Sequence, residues 1–175
     1  MNAHALAILE FPRLLELVAE RAASAPGAAR VRALVPSADL AWLEIEHRRV
    51  AAVRSQCAGE LAWSPEPLPE LGEPLARLRV IGTVWGGAGL FAGAVLLRSA
   101  RRTREALRDD RRPAVVLAVL APFADRMVSA RSEEDEILRA IDEDGAVKDE
   151  ASPTLRRLRR ELLASHGELI RVLER

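Results

Sequence analysis

Apolar residues recur at spacings of three and four along most of this chain, a period that builds helices and not strands. Leu6, Leu9, Leu14, Leu17 and Val18 share apolar faces on a short first helix and a second one, with Pro12 in a first turn that tolerates it. Ser24 is placed to cap a third helix over residues 25–35, which Pro36 is expected to end. Ser37 or Asp39 then caps a fourth helix, where Leu40, Leu43, His47, Val50 and Arg54 follow at the same spacings and Trp42, Glu46 and Arg49 occupy other faces. Four prolines, Pro65, Pro67, Pro69 and Pro74, predict an irregular connection over residues 59–74. A long helix follows from about residue 88 to 108, and another over 113–121 that Pro122 should break. Ser132 with Asp135 three residues on has the spacing of a capping box. The chain has no Tyr and only three Phe and three Trp, which disfavours sheet. The expected class is therefore all-α.

Composition removes several functions. Lys plus Arg and Asp plus Glu balance at 26 each, so no global basic footprint marks a nucleic-acid binder. Lys148 is the sole lysine, in Val147-Lys148-Asp149, so a Gly-Lys-Ser/Thr phosphate loop is absent from these residues. His4, His47 and His166 stand far apart without a second ligand at metal spacing. Cys57 is alone, which suits a reducing, cytoplasmic compartment and lacks the neighbours of a thiolate nucleophile. Ser24, Ser37, Ser132 and Ser152 read as helix caps. The N-terminus lacks the basic start of a signal peptide.

Three motifs imitate functional sites. Residues 80–97 carry no charge and hold two GxxxG spacings, Gly82/Gly86 and Gly89/Gly93, which is the lower edge of a membrane span. Five glycines and a turn-like Trp85-Gly86-Gly87-Ala88-Gly89 favour instead a tight turn before a buried helix. Gly87-Ala88-Gly89-Leu90-Phe91-Ala92 matches a dinucleotide-binding turn, but Asp109 and Asp110 precede the next apolar run where that fingerprint needs an acid after it. Aligning Gly145 with the glycine of a calcium loop puts Ala140 and Ala151 where the first ligand and the bidentate Glu belong, so calcium binding should be very weak.

The acidic run around Gly145 reads as architecture. Asp144-Gly145 is a preferred pair for a tight turn whose two central positions need positive φ. Ile141 and Val147 flank it and would anchor a short hairpin. Ser152-Pro153 is a helix start, with Ser as cap and Pro at the first position. Leu155, Leu158, Leu162, Leu169 and Val172 or Leu173 then follow a heptad broken at Ser165/His166, and Arg156, Arg157, Arg159 and Arg160 fill the first turns. The pattern reaches Arg175 without a stop signal, so the chain is expected to end inside a longer helix. The expected organisation is an irregular multi-helix core over 1–140, a hairpin or turn joint over 141–153, and the start of a long terminal helix over 154–175.

Leu9-Glu10-Phe11, Pro36-Ser37-Ala38-Asp39-Leu40 and above all Ile141-Asp142 through Gly145, Val147, Asp149, Ala151-Ser152-Pro153, Leu155 and Arg156 resemble the N-terminal part of the second bacterial MutS subfamily. Those proteins are paralogues of the mismatch-repair ATPase that lack its mismatch-reading domains and usually carry a C-terminal Smr nuclease domain. The resemblance implies that residues 141–153 join a helical core to the first lever helix. It implies no catalytic, cofactor or metal residue in this chain, and a homodimeric full-length parent that uses ATP and Mg. That parent would clamp branched DNA, affecting recombination, or stalled and collided ribosomes, in ribosome rescue. Two places depart from the family: Pro12 stands for the usual capping acid, and residues 83–90 replace a Ser-Pro-Glu-Glu-Leu-like helix start. A different reading of the same residues is a stand-alone helical module whose Arg156, Arg157, Arg159 and Arg160 touch phosphate.

Overall fold

A computed structural model describes residues 3–58, 62–66 and 68–173. Positions 59–61 and 67 of the proline-rich connection, and 174–175 of the terminal pattern, lie outside the described residues. Among the described residues the structure is helical: α1 (Ala3–Ile8), α2 (Phe11–Ala19), α3 (Ala25–Arg32), α4 (Leu40–Gln56), α5 (Gly72–Arg77), α6 (Gly87–Leu107), α7 (Ala114–Asp125), α8 (Arg131–Ala140) and α9 (Pro153–Leu173), with a 3-10 turn at Asp149–Ala151. The all-α class holds. The chain divides into two compact units, Met1–Glu70 with Ser99–Ser129, and Leu71–Arg98 with Ala130–Arg175.

In the first unit, α4 packs on α7. Ala52, Leu107, Val116, Leu120 and Ala124 form its core, with Val119 and Met127 packed against them. The buried line on α4 is Ala52 and Gln56, one helical turn apart, and not the stripe through Leu40 and Val50, which are 74% and 58% exposed. Polar Gln56 is the most enclosed large side chain: its Nε2 donates to the Ala106 carbonyl at 2.9 Å. Arg112 Nε donates to the same oxygen at 3.2 Å, and Gln56 Oε1 has no protein donor. On another face of α4, Arg49 lies over the Phe123 ring, 5.3 Å from its centroid. Helices α2 and α3 form a second pair, joined by Arg32 and Glu16. Leu9, Leu14, Leu17 and Val18 carry the expected periodicity yet remain about half exposed or more.

Local chemistry sets the helix ends. Ser24 Oγ accepts from Gly27 N–H at 3.2 Å, and Asp39 Oδ1 from Trp42 N–H at 3.1 Å. Ser37 is not the cap; its hydroxyl accepts from Asp39 N–H. The third helix stops at Arg32, ahead of Pro36. Pro74 lies within α5 and does not belong to the irregular connection. Pro122 does not break its helix either. It falls in the last turns of α7, where Leu120 and Ala124 are buried on either side, and that burial carries the helix on to Asp125. Ser132 is not a cap: α8 begins two residues earlier than the capping-box reading requires, after Ala130. The Ser132 hydroxyl donates to Glu133 Oε2 at 2.7 Å and holds that carboxyl below its usual range.

In the second unit, Gly87, Gly89 and Gly93 of the stretch that imitates a membrane or nucleotide motif are packing sites, whereas Gly82 and Gly86 meet open space. Gly82 turns the chain at φ +88°, ahead of α6. Trp85 then folds back along α6, against Gly89 and Gly93: a Cβ on Gly93 would come within 2.9 Å of Trp85 Cζ3. The indole N–H donates to the Pro74 carbonyl of α5 at 3.2 Å. No described strand precedes Gly87, and no described helix is long and apolar enough to cross a membrane.

Candidate functional site

The residues singled out around Gly145 meet in one small structure between α8 and α9. Ile141 is 6% exposed and pairs with Val147 in an isolated antiparallel bridge. Lys148 N–H donates to the Ala140 carbonyl at 2.8 Å and Asp142 N–H to the Ala146 carbonyl at 3.0 Å. The hairpin is present, but its turn differs from the expected one. Gly145 has φ +79°, whereas Glu10 is the only described non-glycine residue with positive φ, so Asp144 does not adopt it. Gly145 N–H closes back on the Asp142 carbonyl at 3.1 Å. This is the longer hairpin turn, in which a glycine after an ordinary turn takes the left-handed position. Asp142 makes it possible, because its Oδ1 accepts from Asp144 N–H at 3.1 Å and Ala146 N–H at 2.7 Å.

After the hairpin, the 3-10 turn leads to Ser152, whose hydroxyl accepts from Leu155 N–H at 3.3 Å. Pro153 takes the first position of α9, where its missing N–H leaves no carbonyl unpaired. Side chains to which the sequence assigned no role here, or in the case of Arg159 a different one, hold this region together. Lys148 Nζ donates to the Leu138 carbonyl at 2.7 Å, satisfying an acceptor in the last turn of α8 where a cation is favoured. Arg139 reaches the Ala151 carbonyl at 3.3 Å. Arg159 pairs with Asp149.

The four candidate phosphate-binding arginines do not form one free cluster. Arg159 is engaged in the joint, Arg157 lies 3.7 Å from Glu161 one turn on, and Arg160 Nε donates to the Arg156 carbonyl at 3.4 Å. Helix α9 runs for 21 residues, about 31 Å, and continues through Gly167. Leu158, Leu162, Leu169 and Leu173 of its heptad are 51–78% exposed.

A hollow of about 500 Å³ lies in the first unit, lined by Trp63, Glu66, Ser99, Arg102, Asp109 and Arg111 among others. Its charges are matched internally, Arg102 by Glu66 and Arg111 by Asp109. The side chain and backbone N–H of Arg111 hold the Asp109 carboxyl down at about 2. The Lys148 ammonium is bonded to the Leu138 carbonyl, and the described residues contain no group of three or more His, Cys, Asp or Glu placed to hold a metal.

The chain is 58% identical, over its whole length, to an endonuclease MutS2 from Gemmatimonas aurantiaca, of which it covers 21%. The chain matches the N-terminal region of MutS2 endonucleases. A MutS2 endonuclease from Geobacillus thermodenitrificans is 32% identical over 99% of the chain and 22% of its own length. One from Thermus thermophilus is 34% identical over 90% of the chain and 19% of its own length. The match is to the N-terminal region of these proteins, so the chain spans about a fifth of the MutS2 relatives it matches. No family model matches it.

Proposed function

We propose that this chain is a non-catalytic structural part of a MutS2-type ATPase and endonuclease, in which α9 is the root of a lever. The carrying observation is a helix of 21 residues whose first turn is fixed to a cross-braced hairpin while its heptad leucines stay exposed. A rigid root with a free stripe suits an element that transmits displacement. The ATPase and nuclease centres, ATP and Mg then belong to other parts of the polypeptide, as does the apolar surface that covers the heptad. The assembled homodimer acts in the cytoplasm on branched DNA or on stalled ribosomes.

The test replaces the matching region of the Gemmatimonas aurantiaca relative with this chain. The chimera should hydrolyse ATP, and the chain alone should neither hydrolyse ATP nor cut nucleic acid. Adding Asp142→Ala and Lys148→Ala should leave basal hydrolysis in place and abolish its response to a DNA junction or to collided ribosomes, whichever of the two stimulates the intact chimera. Hydrolysis by the chain alone would refute the proposal, as would an unchanged response in the double variant.

A further inference from the structure

The tip of the hairpin rests on the start of α6 with no side chain between the two backbones. A Cβ built on Gly87 would fall on the Gly145 carbonyl oxygen and 2.9 Å from its carbon. A Cβ built on Gly145 would lie 2.5 Å from Ala88 N and 2.8 Å from Ala88 Cα. Real Cβ atoms do not approach backbone so closely, so both positions require glycine. For Gly145 its positive φ is a sufficient reason on its own. Gly87 has no such reason: its φ is not positive, and a helix start accepts most residues. Neighbouring Gly86 faces open space, so the requirement belongs to one position and not to the glycine-rich stretch as a whole.

We propose that the Gly87–Gly145 contact is a latch that sets the direction of α9. The hairpin is braced to α8 by Lys148 and internally by Asp142, and α9 is tied to the 3-10 turn by Arg159 and Asp149. The end of α8, the hairpin and the root of α9 therefore move as one body. The surface on which the hairpin tip sits is the first turn of α6, so this backbone contact decides where that body points. Release of the tip frees the root of α9 without unfolding a helix. That α9 transmits force rests on the proposed lever role; the latch itself does not.

Electron–electron distance measurements on the whole chain test it, with spin labels at Ala76→Cys of α5 and Ser165→Cys of α9 in a Cys57→Ser background. The parent and Gly86→Ala should give the same single narrow distribution. Gly87→Ala should broaden or displace it, and amide exchange at Asp142 and Lys148 should accelerate about tenfold. Asp142→Ala loosens the tip by removing an acceptor and adds no clash, so it gives the same result even where Gly87→Ala prevents folding. A distribution in Asp142→Ala as narrow as the parent's, or in a folded Gly87→Ala, overturns the latch. No nucleotide or nucleic acid enters this experiment, so its failure is separate from failure of the lever reading.

Discussion

Gln56 offers the sharpest test of how the first unit is held together. Replacing it with leucine removes one neutral hydrogen bond to Ala106, with a net loss of about 0.5–1.5 kcal/mol. The Ala106 carbonyl is not orphaned, because Arg112 Nε still donates to it at 3.2 Å. The same change removes Oε1, a buried acceptor without a protein donor, whose burial costs about 1–3 kcal/mol. Leucine also keeps the site filled beside Ala52. Gln56→Leu should therefore lie between neutral and about 2 kcal/mol more stable than the parent. Gln56→Ala keeps neither volume nor bond and should cost about 2–4 kcal/mol, as large-to-small changes at enclosed sites do. Gln56→Glu keeps the shape but puts a carboxylate at a fully enclosed site beside a carbonyl oxygen. Its folded pKa would rise above the unfolded value near 4.3, so its penalty should grow as pH rises above that value. Urea titrations followed by tryptophan emission and circular dichroism read all three, since Trp63 N–H donates to the Gln56 carbonyl. A Gln56→Leu chain less stable than the parent by more than about 1.5 kcal/mol would refute the reasoning, because Oε1 would then have a strong partner.

Gly93→Ala drives a methyl into the Trp85 ring, 2.9 Å from Cζ3; it should cost about 1–3 kcal/mol and shift the Trp85 emission. An unshifted spectrum would mean that the indole does not lie there. Pro122→Ala restores a backbone donor inside α7 and should stabilise by about 1–3 kcal/mol in thermal melts. Gly167→Ala meets open space on α9 and should add about 1 kcal/mol; a loss would show that α9 is not helical there. The Asp109 carboxyl should titrate near pH 2 by carbon-detected NMR and rise in Arg111→Ala, staying below the ordinary value near 4 because the backbone N–H of residue 111 remains. Because that pKa is depressed on folding, its contribution to stability is present above about pH 4 and is lost as pH falls towards 2.

What was legible in the sequence was local. Ser152-Pro153 announces a helix start because a side-chain acceptor and a residue without an N–H both act within one turn. The hairpin was legible from Asp144-Gly145 between two apolar residues, though not its turn type, which depends on the Asp142 carboxylate reaching two amides. The same local logic fails at Ser132, where Asp135 three residues on has the spacing of a capping partner but the helix starts earlier. It failed at Pro122, where burial of Leu120 and Ala124 overrides the cost of proline. Gly87 and Gln56 lay outside its reach. Gly87 matters through Gly145, far along the chain, and without that partner its neighbourhood imitates a nucleotide loop or a membrane span. Gln56 sits one turn after Ala52 in a stretch whose leucines and valines carry the helical spacing of a core face, and only tertiary packing shows that they do not form it.

Lys148 carries a last consequence. It is the only lysine in the chain, and its ammonium is held against the end of α8. Side-chain amine chemistry on this protein therefore converges on one atom, and that atom is part of the joint. Acylating reagents should modify it slowly while the hairpin is closed and faster when it opens. A single modified peptide, followed by mass spectrometry in the unaltered protein, would then serve as a clock for the opening of the joint.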